Sequence, residues 1–110
     1  MYRASTPRHV FYFDINPDEY FKNILITYAQ DGSVVLEKTK DDLTFETNAT
    51  SCGTMSTASF QLTQEETRAF DAGRPFVSVQ VRLLDHGGNV ITSPITKLRI
   101  NKVLNDEVLT

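Results

Sequence analysis

Residues 63–73 read Thr-Gln-Glu-Glu-Thr-Arg-Ala-Phe-Asp-Ala-Gly, and they decide the fold that we predict. Thr63 is a favourable N-cap, and a glutamate three positions later at Glu66 completes a capping box. The pattern therefore predicts a short helix from Gln64 to Phe70. Gly73 is expected to end this segment in the left-handed backbone region.

The segments on both sides of this helix alternate between apolar and polar residues, which is typical of half-buried strands. The same period-2 pattern recurs along the chain and gives about seven strands, at residues 8–14, 20–30, 34–39, 42–47, 56–62, 77–83 and 90–100. The predicted fold class is all-β, an immunoglobulin-like antiparallel β-sandwich with one short helical crossover.

The segments between the strands carry turn signals. Asp31-Gly32 predicts a tight hairpin because both turn positions need positive φ. Residues 15–19 are expected to form a loop around Pro17, and the polar residues 48–54 an exposed loop. Pro94 interrupts the last strand and indicates an edge position or a bulge. The first strand has apolar side chains on both faces, so we expect both faces to be covered.

The length of 110 residues fits a single domain. We expect residues 1–110 to form one sandwich with its core at about residues 8–103, and residues 1–7 and 104–110 to be flexible tails. Residues 1–7 lack the apolar segment of a secretory signal, so folding in the cytoplasm is expected. We expect no membrane contact, because no apolar run approaches the ~20 residues that span a bilayer.

The net charge of −3 and the scattering of 11 basic residues along the sequence argue against a nucleic-acid partner. Among the acidic residues, none of the short runs has the ligand spacing of a calcium loop. These runs are expected to be solvated, and they comprise Asp14, Asp18 and Glu19, then Asp41 and Asp42, then Glu65 and Glu66. The Asn48-Ala49-Thr50 triplet matches a glycosylation pattern, but we interpret it as chance because no signal peptide accompanies it.

Cys52 is the single cysteine, so no internal disulfide can form. A Cys-His dyad would require His9 or His86 to approach it, and no general-base motif accompanies the thiol. A structural zinc site needs four Cys or His ligands, which the chain lacks. We therefore predict no catalytic, cofactor-binding or metal-binding residues, and no cofactor.

The first third of the chain is rich in aromatic residues, namely Tyr2, Tyr12, Tyr20, Phe21 and Tyr28. Aromatic residues that alternate with aliphatic ones in strands are more often core than a carbohydrate platform. The C-terminal segment 104–110 carries three apolar side chains that a sandwich does not need. Frayed ends are one interpretation, and arms that pair with neighbouring subunits are the other.

Four segments together carry a family resemblance. They are Ile26-Thr27-Tyr28-Ala29-Gln30-Asp31-Gly32, Val34-Val35-Leu36-Glu37-Lys38, Leu62-Thr63-Gln64-Glu65-Glu66-Thr67 with Phe70, Ala72 and Gly73, and Val79-Gln80-Val81-Arg82-Leu83. Taken together, they resemble a family of small prophage proteins from Gram-positive bacteria. They are also similar, more distantly, to the N-terminal immunoglobulin-like domain of phage baseplate upper proteins.

The resemblance implies a non-enzymatic virion structural protein, a component of a phage tail or baseplate. Its expected partners are other phage structural proteins and further copies of itself, in a homo-oligomer. Its expected location is the host cytoplasm during assembly and then the virion. The alternative is a module that binds carbohydrate or a host surface protein through Tyr2, Tyr20, residues 48–54 and residues 86–89.

Overall fold

A computed structural model of the protein describes residues 1–50, 53–71, 73–101, 103–105 and 107–110. Within these residues the chain forms strands β1 (Arg8–Phe13), β2 (Phe21–Gln30), β3 (Ser33–Thr39), β4 (Thr44–Thr50), β5 (Gly53–Gln61), β6 (Phe76–Asp85), β7 (Val90–Thr92) and β8 (Thr96–Arg99). Two short α-helices accompany them, α1 (Pro17–Tyr20) and α2 (Gln64–Arg68), with a 3-10 turn at Lys40–Asp42.

The strands form two antiparallel sheets. Sheet I has the strand order β1-β5-β4. Sheet II has the order β3-β2-β6, and β7 and β8 pair in succession with the far edge of β6. Helix α2 follows β5 in sheet I and precedes β6 in sheet II. The predicted all-β sandwich with a short helical crossover is thus confirmed.

The capping box of α2 is confirmed. The Glu66 amide donates to Thr63 Oγ1 at 3.1 Å, and the Thr63 amide donates to Glu66 Oε1 at 2.9 Å. Burial alone would raise the pKa of Glu66, but hydrogen bonds from Lys38 and Thr63 and the charge of Lys38 outweigh it and lower the pKa. Lys38 lies on β3 and forms a partly buried ion pair with Glu66. The helix is therefore attached to the outer strand of sheet II.

The predicted helix stop at Gly73 is wrong. Helix α2 ends at Arg68, and Gly73 is not in the left-handed region; its amide donates to the Asp71 carboxylate at 2.8 Å. The guanidinium of Arg3 donates instead to the carbonyl oxygens of Phe70 and Arg68, at 2.8 and 2.9 Å. Because the side chain of Arg3 donates to these carbonyl groups, no left-handed glycine is needed to satisfy the end of the helix.

The core lies between the sheets. Its buried apolar side chains include Phe21, Ile24, Ile26, Tyr28, Phe60, Leu62, Phe70, Val77, Val79 and Ile100. The predicted inward faces of the strands at residues 20–30, 56–62 and 77–83 are confirmed by this set. On β1 the prediction is wrong, because Val10 and Tyr12 on its outer face are 40% and 70% exposed. Sheet II covers the inner face of β1, and among the described residues no element packs over the outer pair strongly enough to bury it.

The predicted loop at residues 15–19 contains α1. Asn16 caps it by accepting from the Asp18 amide at 3.1 Å, and Pro17 occupies its first turn with a φ suited to a helix. Two acidic residues in that turn are favoured by the helix dipole. Local capping therefore forms a single helical turn where the turn residues alone indicated a loop.

Two hairpins test the turn predictions. Asp31 and Gly32 have φ of 49° and 80°, so the tight turn is confirmed. The loop predicted over residues 48–54 is wrong as to its extent, because β4 continues to Thr50 and β5 begins at Gly53, which pairs with it. The threonines of this segment are β-branched and favour strand, and residues 51 and 52 of the predicted loop lie outside the described residues.

The interruption at Pro94 is a bulge at an edge, as predicted. The Ser93 amide donates to the Val81 carbonyl oxygen at 2.8 Å, and the Val81 amide donates to Ser93 Oγ at 3.0 Å. One serine thus pairs with β6 through both its backbone and its hydroxyl. The last predicted strand is split into β7 and β8 because Pro94 has no amide to donate.

The N-terminal residues are attached to the domain. Tyr2 forms an isolated parallel bridge with Asn101, and the Ser5 amide donates to Thr67 Oγ1 at 3.0 Å. The Thr67 hydroxyl in turn donates to the Ser5 carbonyl oxygen at 2.9 Å. Near the other end, the backbone of Leu109 exchanges two hydrogen bonds with the Gln64 side chain. The segments expected to be flexible tails therefore contact the domain through these bonds.

Replacing Thr67 by valine keeps the side-chain shape but removes the hydroxyl that binds Ser5. Thr67 is fully buried, so the Ser5 amide loses its partner, and we expect the free energy of unfolding to fall by about 1–3 kcal/mol. Urea unfolding followed by circular dichroism measures this change. Thr27→Val, on the outer face of β2, is the matched control and should change stability by less than about 0.5 kcal/mol. Equal midpoints for Thr67→Val and the wild type would contradict the assigned role.

Candidate functional site: an open seam between the sheets

Two sheet edges face each other on one side of the sandwich. Strand β1 is an edge of sheet I, and β7 and β8 form the edge of sheet II; neither has a further partner strand among the described residues. Between them lies a cleft of about 480 Å³. We call this cleft the seam, and it is lined by Arg8, His9, Val10, Phe11, Tyr28, Val79, Val81, Ser93, Pro94, Thr96 and Leu98.

The floor of the seam is built around a buried tyrosine. His9 Nδ1 and the Tyr28 hydroxyl share a hydrogen bond, and the two rings stack with centroids 5.6 Å apart. Phe60 packs edge-on against both rings. Tyr28 is fully buried, so its hydroxyl requires a partner, and His9 supplies it from the facing sheet. One polar contact thus joins the two sheets below an apolar cleft.

Burial suppresses charge on this pair. Desolvation lowers the pKa of His9, so the imidazole is neutral at pH 7. Burial, with a further contribution from Glu66, raises the pKa of the Tyr28 hydroxyl well above its ordinary value. Two neutral rings with their polar atoms turned to each other present mainly apolar surface. The arrangement is suited to packing against apolar side chains of a ligand or partner.

One end of the seam is closed by the N-terminal residues. The Met1 nitrogen donates to the Arg99 carbonyl oxygen at 2.8 Å, and the Arg3 amide donates to the Asn101 carbonyl oxygen at 3.2 Å. These residues occupy the sheet II edge just beyond β8. The edge of β8 from Thr96 to Leu98 has no partner strand among the described residues.

The residues weighed for chemistry from the sequence are not brought together. His9 lies in the seam floor, whereas His86 Nε2 contacts the Glu19 carbonyl oxygen at 2.9 Å, near the turn after β6. Cys52 lies outside the described residues. In the part of the chain that the structure describes, no three His, Cys, Asp or Glu residues are placed to hold a metal ion. No helix in the same part is long and apolar enough to cross a membrane.

The aromatic surface considered for carbohydrate binding is divided between the two ends of sheet II. Tyr20 precedes Phe21, which pairs with Asp85 at one end of β6. Tyr2 pairs with Asn101, just beyond the pairing of Arg99 with Phe76 at the other end of β6. Tyr20 and the 86–89 turn are neighbours, whereas Tyr2 is not part of that surface.

Sequence reasoning did not find the seam. Its wall residues come from β1, β2, β6 and the β7–β8 edge, and each of them reads as an ordinary strand residue. Pro94 was the available signal, because a proline within the last strand marks an edge. The sheet edge that faces this strand is decided by how the two sheets pack. No local sequence pattern encodes that packing.

Comparisons with protein-family models, with curated protein sequences and with solved structures found no match to this chain. The geometry of the seam is therefore the basis for a functional interpretation.

The lowered pKa of His9 predicts a pH-dependent stability. Because the folded-state pKa lies below the unfolded value of 6.5, the unfolded state binds a proton first as the pH falls. The stability contributed by neutral His9 is complete above pH 6.5 and is lost as the pH falls from 6.5 through the folded-state pKa. Urea unfolding at pH 7.5 and pH 5 should show a smaller decline for His9→Gln than for the wild type, since glutamine does not titrate. Identical declines would show that His9 is not the responsible group.

Proposed function

We propose that this protein is a non-enzymatic structural subunit of a phage or prophage tail or baseplate, which acts through protein–protein contacts. The observation that supports the proposal is the seam, where two unpaired sheet edges border an apolar cleft. Unpaired edges are templates for pairing with another chain, and natural monomers usually protect them. The resemblance of the sequence to small prophage proteins supplies the phage context.

The chemistry of the seam favours a macromolecular contact over catalysis. Its floor holds a neutral, mutually bonded His9 and Tyr28, and the Ser93 hydroxyl accepts a bond from the Val81 amide. Partner strands bound at such an edge gain backbone hydrogen bonds and place alternate side chains in the cleft. The seam therefore supplies both elements of strand recognition, an edge and a set of apolar contacts.

A lysine introduced at the seam should block this contact. Val10 borders the seam on the edge strand β1, and its side chain is exposed on the outer face of that strand, so Val10→Lys should leave the fold intact while placing a charge at the unpaired edge beside the cleft. Val34→Lys is the matched control, an exposed valine of β3 at the opposite edge of sheet II. Each variant would replace the wild-type gene in the strain that encodes it, and particles released after prophage induction would be purified.

Quantitative mass spectrometry of these particles measures copies of the chain per particle. We expect the wild type and Val34→Lys at equal copy number and Val10→Lys at least tenfold lower. Absence of the wild-type chain from the particles would contradict the virion assignment. Equal incorporation of all three would show that the seam is not the contact surface.

A second candidate, carbohydrate binding, is favoured by one local observation. Tyr20 is 52% exposed, and it lines a shallow pocket of about 290 Å³ with Glu19, Asp85, His86 and Gly87. An exposed aromatic ring next to polar groups is a common arrangement for sugar contacts. Tyr20→Ala should then abolish retention on a cell-wall polysaccharide column, while Tyr12→Ala, an exposed tyrosine of β1, should not. Absence of retention of the wild type would exclude this candidate.

A further inference from the structure

Strand β4 is the second edge of sheet I. Among the described residues it pairs only with β5, from Thr44↔Ser59 to Thr50↔Gly53, and this register contains no shift. Its seven residues include one charged residue, Glu46, and no proline. Natural edge strands are usually short, bulged or protected by charges or proline, because an open and regular edge pairs readily with other chains. Strand β4 lacks most of these protections.

The other described edges differ from β4. The pairing of β3 with β2 shifts between Tyr28 and Ala29, and β3 carries two adjacent charged residues, Glu37 and Lys38. The edge formed by β7 and β8 is interrupted at Pro94. Strand β1, the opposite edge of sheet I, borders the seam. Outside the seam, β4 is therefore the edge of the described chain that is best suited to accept another strand.

The far end of β4 extends past the end of β1. The last residue of β1, Phe13, pairs with Ser56 of β5. The pairing of β4 with β5 continues three rungs further, to Thr50↔Gly53, so sheet I has only two described strands at this end. A two-stranded ribbon is marginally stable in water, and a third strand stabilises it. A strand added to the edge of β4 would supply the one that is missing.

Side chains alternate between the two faces of β4. Thr47 Oγ1 lies 3.0 Å from Ser56 Oγ, and Ser56 is buried, so Thr47 faces the interior. Its neighbours Glu46 and Asn48 therefore point to the outer face, where both residues are exposed. Neither side chain has a hydrogen-bond or ion-pair partner among the described residues. The outer face of β4 thus presents a carboxylate, which accepts, and two residues later an amide, which can donate.

A second copy of β4 fits this edge best in one antiparallel register. A twofold axis perpendicular to the sheet keeps the outer faces together only if it passes through a residue, because a one-residue slip turns every side chain to the other face. An axis at Glu46 would place two carboxylates directly opposite each other, which is destabilising. An axis at Thr47 pairs all seven residues of β4 and places each Glu46 opposite Asn48 of the other copy. Each amide can then donate to the carboxylate that it faces.

This register also separates the rest of the two copies. Strand β1 flanks β5 only from Ser56, which pairs with Thr47, to Gln61, on the Thr44 side of the axis. Because the second copy runs in the opposite direction, its β1 lies on the other side of the axis. The two-stranded end of each copy therefore meets the three-stranded part of the other.

We propose that β4 pairs with β4 of a second copy of this chain, antiparallel and centred on Thr47. The three strands of sheet I in each copy join into one six-stranded sheet across a twofold axis. The inference goes beyond the proposed function by naming a partner for a surface other than the seam. Because β1 and β4 are opposite edges of sheet I, the dimer leaves both seams accessible.

Two variants that carry like charges at the paired positions test this proposal. Asn48→Glu leaves Glu46 in place and gives two carboxylates, and Glu46→Lys with Asn48→Lys gives two ammonium groups. In either variant alone, like charges would face each other on both sides of the axis. Thr92→Glu is the matched control, because it adds one carboxylate to another exposed edge strand, β7, outside the seam lining. Thermal unfolding checks that each variant is folded, and Asn48→Asp replaces Asn48→Glu if that variant is destabilised.

Light scattering after size-exclusion chromatography, over a roughly hundredfold range of protein concentration, gives the mass of each species. We expect the wild type and Thr92→Glu to form a dimer of the 12.4 kDa chain. Each like-charge variant alone should need at least about tenfold higher concentration to reach the same mean mass. An equimolar mixture of the two variants should dimerise at a concentration within about threefold of the wild type, because opposite charges then face each other at both paired positions.

A wild type that stays monomeric at every concentration overturns the proposal. A dimer that neither variant weakens does so too, as does a mixture that fails to recover. The proposed assembly function fails separately. Equal incorporation of Val10→Lys and the wild type into particles would remove the seam as a contact surface and leave the charge-dependent dimer intact. Loss of incorporation for Val10→Lys, together with a monomeric wild type, would remove only the β4 pairing.

Discussion

The arrangement of the two sheets depends on how the α2 crossover is held. At the start of the helix, the side chains of Thr63 and Glu66 each accept a hydrogen bond from the other residue's backbone amide. Lys38 on β3 forms an ion pair with the Glu66 carboxylate. Thr67 binds the backbone of Ser5, and the Phe70 side chain is fully buried. A helix of five residues is not stable by itself. Contacts to sheet II and to the N-terminal segment therefore fix its position.

One side of the sandwich is open between the edges of the two sheets. The N-terminal residues cross from the edge of sheet II to β1, and they close the seam only beside Asn101. Beyond that point, Pro94 kinks the edge strand away from regular pairing, and β1 has no partner on its outer side among the described residues. The buried His9–Tyr28 contact spans the gap beneath. Inside the seam the polar atoms of His9 and Tyr28 are hydrogen-bonded to each other, and at its borders the described strand edges have no partner strand.

The acidic residues are unevenly distributed along the chain. Along the sequence the basic residues are scattered. This scattering argued only against a nucleic-acid partner. In the fold, the two segments without acidic residues, 1–13 and 86–105, border the same cleft, whereas twelve of the 14 acidic residues lie between positions 14 and 85.

The sequence by itself determined the strands, the Asp31-Gly32 hairpin and the capping box of α2, because each depends on side chains within a few residues of one another. It also determined the inward faces of β2 and β6 through period-2 alternation. Only the tertiary structure decided that Arg3, rather than Gly73, satisfies the carbonyl groups at the end of α2. It also decided that Val10 and Tyr12 are exposed and that β1 and β8 border one cleft. These outcomes depend on contacts between residues far apart in the chain, and no local pattern encodes which sheet edges will face each other.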